Sequence, residues 1–99
     1  MEITKNLNGK ELVIGLIGRL DTTTAPKLDE ELKTALDGIS NLFLDLEELE
    51  YISSAGLRVI LATEKVMKKQ GQMVIRKANE TIMEVFEITG FADILTIEK

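Results

Sequence analysis

Hydrophobic and polar positions alternate between strand-like and helix-like patterns along the whole chain. Short apolar or β-branched runs bounded by turn residues predict strands. The expected strands are Glu2 to Asn6, Glu11 to Leu20, Asn41 to Leu46, Met73 to Arg76 and Ile94 to Ile97. The segment from Glu47 to Ile52 is expected to be a connection.

Three other segments repeat apolar residues at helical spacing, which predicts amphipathic helices. The first follows a polar turn at Asp21 to Thr24 and ends near Gly38, the second runs from about Ser54 to Gln70, and the third runs from Asn79 to Gly90. The side chains expected to face inward are Leu28, Leu32, Ala35 and Leu36; Leu57, Ile60, Leu61 and Met67, with Val59 and Val66 beside them; and Ile82, Val85 and Phe86.

The order of these elements indicates the topology. Asn8-Gly9 between the first two strands predicts a tight antiparallel hairpin. Each later strand–helix–strand passage predicts a crossover that leaves neighbouring strands parallel. The sequence therefore predicts an α/β fold: a single domain over residues 1–99, with a mostly parallel sheet of about five strands, an N-terminal antiparallel hairpin and three main helices.

Composition excludes several classes of function. The 99 residues include no cysteine and no histidine, so thiol catalysis, a Ser-His-Asp triad and Cys or His metal sites are excluded. The formal charge of −5 disfavours nucleic-acid binding. No apolar run is long enough to span a bilayer, and Met1 to Lys5 lacks the apolar segment of a signal peptide. We expect a cytoplasmic protein with no cofactor and no membrane partner.

The sharpest local feature is the segment Tyr51 to Arg58, in which two serines stand where a loop enters a helix. Small residues, Ala55 and Gly56, follow them and leave room for another molecule to approach. Capping of the helix alone explains one serine. A helix N-terminus also tolerates an attached phosphate, so the serines are candidates for phosphorylation as well, although capping is the commoner role of a serine at this position.

Three stretches of the chain together resemble the STAS domain family, which includes anti-sigma-factor antagonists and a related domain of sulfate transporters. They are Gly18-Arg19-Leu20-Asp21 with Thr24-Ala25, Leu42 to Leu49 with Tyr51-Ile52, and Ser53-Ser54-Ala55-Gly56-Leu57. The last resembles the family's Asp-Ser-Ser/Thr-Gly-Leu signature. The resemblance implies a STAS-like fold for the domain.

The resemblance also implies a mechanism and a set of site residues. The family's phosphoacceptor falls on Ser54, and Ser53, which stands where the family often has Asp, is a second candidate. The unphosphorylated antagonist would bind an anti-sigma factor that is also a serine kinase, phosphorylation would end binding, and a PP2C-type phosphatase would reset the switch. The residues expected at the partner surface are Asp21, Thr22, Thr23, Ser53, Ala55, Gly56 and Arg58. Asp21 is expected to cap a helix, orient the serine or bind a cation of the partner.

Three alternatives remain open at this point. Asp45 late in a buried strand resembles the phosphoacceptor of a receiver-like domain, although no acidic pair precedes it. A Ser-Lys enzyme is the only familiar nucleophile arrangement left by this composition. A STAS domain that binds without switching is favoured by Ser53 in place of Asp.

Overall fold

A computed structural model of the protein describes residues 1–98 as one five-stranded sheet with three helices. The strands are β1 (Glu2–Asn8), β2 (Glu11–Leu20), β3 (Asn41–Asp45), β4 (Leu49–Ile52) and β5 (Gln72–Arg76). The order across the sheet is β1-β2-β3-β5, and β4 pairs with the end of β2. Only β1 and β2 are antiparallel, and the other pairs are parallel. The expected α/β fold class is confirmed.

The helices begin and end at residues that suit helix termini. They are α1 (Ala25–Ala35), α2 (Ser54–Gln70) and α3 (Glu80–Thr89). Pro26 lies in the first turn of α1, where its missing N–H costs no hydrogen bond. Asn79 caps α3 by accepting a hydrogen bond from the Ile82 N–H at 3.0 Å, and Gly90 follows in the left-handed conformation.

The core lies between the helices and one face of the sheet. Every second residue of β2 from Leu12 to Leu16 is buried, and so are Leu42 and Leu44 of β3. These side chains form one cluster with the buried faces of α1, α2 and α3. The inward face of α2 differs from the expected one: Leu61 is only half-buried and Val66 is 44% exposed, whereas Thr63 and Glu64 are buried. Val66 instead lines an open groove between α1 and α2.

The two buried polar residues of α2 are satisfied unequally. The Thr63 hydroxyl donates to the Val59 carbonyl at 2.8 Å, within the helix. Glu64 is 5% exposed, and its Oε2 atom has no hydrogen-bond partner within residues 1–98. Burying an unpartnered carboxylate oxygen costs free energy, so this residue weakens the fold.

β4 pairs with the last residues of β2, in a segment where the sequence suggested a simple connection. Gly18 has φ +103°, and the register of β2 shifts between Gly18 and Arg19. β2 pairs with β3 from Glu11 to Gly15 and with β4 from Gly18 to Leu20, and Glu50 of β4 is skipped at the register shift. The expectation that Glu47 to Ile52 is only a connection is therefore wrong, because its last four residues form β4.

Two further boundaries differ from the sequence prediction. The hairpin loop is Gly9-Lys10, not Asn8-Gly9, because β1 extends to Asn8, which pairs with Glu11. The expected strand Ile94 to Ile97 is not formed. A 3-10 turn occupies Phe91–Asp93, and the following chain makes only a bridge between Ile97 and Ile75.

Candidate functional site

The carboxyl ends of β2 and β4 meet at one edge of the sheet. Leu20 pairs with Ile52 in parallel register, and the Ser53 N–H donates to the Leu20 carbonyl at 2.9 Å. The turn that starts at Asp21 and the start of α2 therefore follow two neighbouring strands. This placement brings together the two segments that the sequence nominated as a partner surface.

Ser53 is the N-cap of α2. Its backbone is extended, with φ −97° and ψ 175°, and its Oγ accepts a hydrogen bond from the Gly56 N–H at 3.4 Å. The side chain is half-buried. Capping thus accounts for Ser53, as the sequence indicated for one of the two serines.

Ser54 differs from its neighbour in both exposure and bonding. It is the first residue of α2, it is exposed, and its hydroxyl has no hydrogen-bond partner in the described part of the chain. No acidic residue lies in the first turn of α2, so the positive end of the helix dipole is not offset there. Ser54 is therefore the serine with an accessible hydroxyl in a setting that favours negative charge.

Gly56 serves the core and not the surface. A Cβ atom at this position would lie 2.6 Å from Leu20 Cγ and 3.1 Å from Ile52 Cγ1. Only glycine lets the first turn of α2 approach the ends of β2 and β4 this closely. The sequence interpretation that Gly56 leaves room for another molecule does not describe its position, because the residue is buried. Ala55 is half-buried beside it.

Asp21 organises the turn before α1. Its Oδ1 accepts hydrogen bonds from the Thr23 N–H at 3.0 Å, the Thr23 hydroxyl at 2.8 Å and the Thr24 N–H at 3.1 Å. The Thr23 hydroxyl bond is the main reason that the pKa of Asp21 lies below its usual value. Asp21 makes no hydrogen bond to Ser53 or Ser54 among residues 1–98. Thr22 and Thr23, which follow it in the turn, are exposed.

Arg19 and Tyr51 form a pair that sequence reasoning missed. They face each other across the β2–β4 register, and the Arg19 guanidinium carbon lies 4.3 Å from the Tyr51 ring centroid. Arg19 Nε also lies 3.8 Å from Asp21 Oδ2. The sequence could have predicted this pair only if Tyr51 had been placed on a strand next to β2.

Arg58 is the second arginine of this region, and it is exposed. It lies one helical turn after Ser54 on the same face of α2. No carboxylate pairs with it in the structure of residues 1–98. Arg58 therefore places a cation without a carboxylate partner on the same face of α2 as the unbonded Ser54 hydroxyl.

The alternative chemistries gain no support from the structure. Asp45 Oδ1 accepts a hydrogen bond from the Glu47 N–H at 3.0 Å, so the carboxylate stabilises the turn that follows β3. In the described residues, no group of three or more acidic side chains is arranged to hold a metal ion. Lys65, Lys68 and Lys69 are exposed farther along α2 and make no hydrogen bond to Ser54. None of the helices within residues 1–98 has the length and apolar character needed to cross a membrane.

Comparison of sequences places the chain in a family. A family model of the STAS domain matches residues 1–99. BtrV of Bordetella bronchiseptica, named as a candidate anti-sigma factor antagonist, is 37% identical over 98% of this chain and 85% of its own length. The anti-sigma-B factor antagonist of Bacillus subtilis is 32% identical over 91% of this chain and 84% of its own length. The protein belongs to the STAS domain family.

Solved structures agree with this assignment of the fold. The anti-sigma factor antagonist SpoIIAA in its unphosphorylated form superposes with a TM-score of 0.85, covering 99% of this chain and 89% of its own, at 18% identity. An anti-sigma factor antagonist from Mycobacterium paratuberculosis gives a TM-score of 0.87 over 97% of this chain and 83% of its own, at 21% identity. At these identities the likeness supports the fold.

Proposed function

We propose that this protein is an anti-sigma-factor antagonist that is switched off by phosphate on Ser54. The observation that carries the proposal is the contrast between two adjacent serines: Ser53 is used by the fold, and Ser54 is exposed and unbonded within residues 1–98. The relatives named above as anti-sigma factor antagonists support the choice of partner. SpoIIAA, with the same fold, has been solved in phosphorylated and unphosphorylated forms.

The proposed docking surface joins the Asp21 turn to the start of α2. It comprises Asp21, Thr22, Thr23, Ser53, Ser54, Ala55 and Arg58. Gly56 is left out because it faces the core. The Ser53 to Leu20 hydrogen bond holds the two halves of this surface together, so a partner meets a preformed patch.

The chain acts in this scheme as ligand and substrate, with no catalytic role. Its partner is an anti-sigma factor with serine-kinase activity. The Ser54 Oγ attacks the γ-phosphorus of ATP held by the kinase, and the bond from that phosphorus to the β–γ bridging oxygen breaks. ADP leaves, and the hydroxyl proton passes to a base on the kinase. A PP2C-type phosphatase reverses the modification by transferring the phosphoryl group to water.

Phosphate at this position acts on binding and leaves the fold intact. The group adds about −1.5 to −2 charges to a surface that the partner covers. Repulsion and desolvation that remove about 3 kcal/mol of binding free energy weaken a complex roughly a hundredfold. The free N–H groups at the start of α2 tolerate the new charge, so the isolated domain stays folded.

One observation favours a second candidate, a STAS domain that binds its partner without switching. Ser53 supplies a neutral cap where the family signature has Asp, so any recognition by a kinase that depends on that carboxylate is absent. In this candidate the same docking surface holds a permanent partner, and Ser54 stays unmodified.

The two candidates differ in a phosphorylation experiment. The protein is incubated with ATP and each candidate anti-sigma factor with serine-kinase activity encoded in its own genome, and phosphate is located by mass spectrometry. The proposal expects one phosphate at Ser54, lost in Ser54→Ala and kept in Ser53→Ala. Stable binding of one of these factors with no phosphate on either serine would establish the second candidate.

A further inference from the structure

We propose that Arg58 is the internal ligand of phosphate on Ser54, which deepens the proposed function by naming the residue that receives the modification. The two residues are spaced four apart on α2, a separation at which side chains meet on a helix surface. Side chains tilt toward the N-terminus of their helix, so the longer Arg58 reaches back toward Ser54. Gly56 and Leu57 between them face the core.

Arg58 is available for this role, whereas the other arginine of the region is engaged. Arg19 stacks on Tyr51 and lies 3.8 Å from Asp21 Oδ2. Arg58 is exposed and forms no ion pair in the described structure. The chain has a net charge of −5, and within it an unpaired guanidinium lies one helical turn from a residue with an unbonded hydroxyl. It offers a phosphate a ligand without displacing any existing contact.

The chemistry of the pair suits a phosphate. A guanidinium presents parallel N–H donors that bind two phosphate oxygens at once, which an ammonium group does not match. The pairing favours the dianion, because the second negative charge strengthens it. It also withdraws Arg58 from the docking surface. One modification thus changes the surface twice: it adds negative charge at Ser54 and occupies the nearest free cation.

The test uses phosphoserine placed at position 54 during translation, so it needs neither the kinase nor the partner. The second ionisation of the phosphate is followed by ³¹P NMR in the otherwise wild-type chain, in Arg58→Gln, in Arg58→Lys and in Lys65→Gln. Lys65 provides a matched control, because it lies on nearly the same face of α2 as Ser54 but about 16 Å from Ser54 along the helix axis. That distance exceeds the Debye length of about 8 Å at physiological ionic strength.

We expect the ionisation midpoint to be about 0.3 pH unit higher in Arg58→Gln than in the parent, a size typical of helix pairs at this spacing. Arg58→Lys should fall between them, and Lys65→Gln should match the parent. Circular dichroism of each variant checks that the fold is kept. Equal midpoints in all four proteins, or equal changes in Arg58→Gln and Lys65→Gln, would overturn the proposal.

The test of the Arg58 pair and the test of the Ser54 switch can fail independently of each other. If the midpoint depends on Arg58 but phosphoserine at position 54 leaves anti-sigma binding unchanged, the internal pair stands and the switch fails. If phosphoserine abolishes binding but the midpoint does not depend on Arg58, the switch stands and the pair fails.

Discussion

The Ser53 backbone N–H donates a hydrogen bond to the Leu20 carbonyl at 2.9 Å, and this contact fixes the start of α2 to the end of β2. Through it the Asp21 turn and the Ser54 hydroxyl share one surface, although they lie more than 30 residues apart in the sequence. The surface is backed by well-packed core, since Leu20 is fully buried and Ile52 is 4% exposed.

Leu57 anchors the first turn of α2 and is 7% exposed. Leu57→Asp should lower the free energy of unfolding by about 3 to 5 kcal/mol, because it buries an unpaired charge. Urea denaturation measures this loss. Val66→Asp places the same charge at a 44% exposed site on the same helix and should cost about 0.5 kcal/mol or less. A loss in Leu57→Asp as small as that in Val66→Asp would show that Leu57 lies on the binding face.

Gly56→Ala gives a prediction in which two effects have opposite signs. Helix propensity alone would stabilise α2 by about 1 kcal/mol. The new Cβ, however, would lie 2.6 Å from Leu20 Cγ and force the helix away from β2. We expect a net loss of about 1 to 3 kcal/mol in the free energy of unfolding, measured with guanidinium chloride. A gain in stability would mean that the close approach of α2 to Leu20 is not real.

Asp21 should make the free energy of unfolding depend on pH in the acid range. The Thr23 hydroxyl, followed by the Thr23 and Thr24 N–H groups, lowers the pKa of Asp21 in the folded chain. Its stabilising effect is therefore present above the unfolded pKa of about 3.9 and is lost as the pH falls through the folded value. The stability difference between wild type and Asp21→Asn should stay constant near neutral pH and shrink in acid.

The cause of this pKa shift can be tested separately by NMR titration of the Asp21 carboxyl group. Thr23→Ala removes the hydroxyl bond and should raise the midpoint toward its ordinary value. Thr22→Ala is the control, because Thr22 makes no hydrogen bond to Asp21 within residues 1–98. An unchanged midpoint in Thr23→Ala would remove the assigned cause.

Replacing Glu64 with an apolar residue should make the protein more stable. The Glu64 carboxylate is buried in α2, and Oε2 is unpartnered in the described structure. Glu64→Met keeps a long unbranched side chain and removes the buried, unpartnered oxygen, so it should raise the free energy of unfolding by about 1 kcal/mol. Lys65→Met, at the exposed neighbouring position, should change it by about 0.5 kcal/mol or less. A clear loss in Glu64→Met would imply that Glu64 has a stabilising partner.

The sequence was sufficient for the elements whose signals are local. The apolar periodicity of α3 and the Asn79 and Gly90 caps lie within a few residues of one another, and the structure confirms them. β4 was missed because its four residues, buried only at Leu49 and Ile52, have no strand pattern of their own. It forms a strand because Gly18 to Leu20 at the end of β2 extend beyond the part of β2 that pairs with β3, and they pair with β4 instead. The expected strand Ile94 to Ile97 failed for the converse reason, since it has a suitable pattern but pairs with Ile75 alone.

The candidate site followed the same division. The two serines and the Asp21 turn could be identified from motifs. Which of the two serines caps α2 and which is exposed could be decided only from the structure. Which serine caps α2 depends on the Gly56 N–H, and the inward position of Gly56 depends on Leu20. The Arg19–Tyr51 pair arises from the register of two strands and has no local signal.

The most direct test of the central claim is the affinity of the intact protein for its anti-sigma factor, measured by titration calorimetry with serine and with phosphoserine at position 54. We expect both forms to melt at closely similar temperatures and the phosphorylated form to bind roughly a hundredfold more weakly. Phosphoserine at position 53 should instead lower the melting temperature, because Ser53 is half-buried and a dianion there would lose hydration. Equal affinity of the serine and phosphoserine-54 forms would contradict the account.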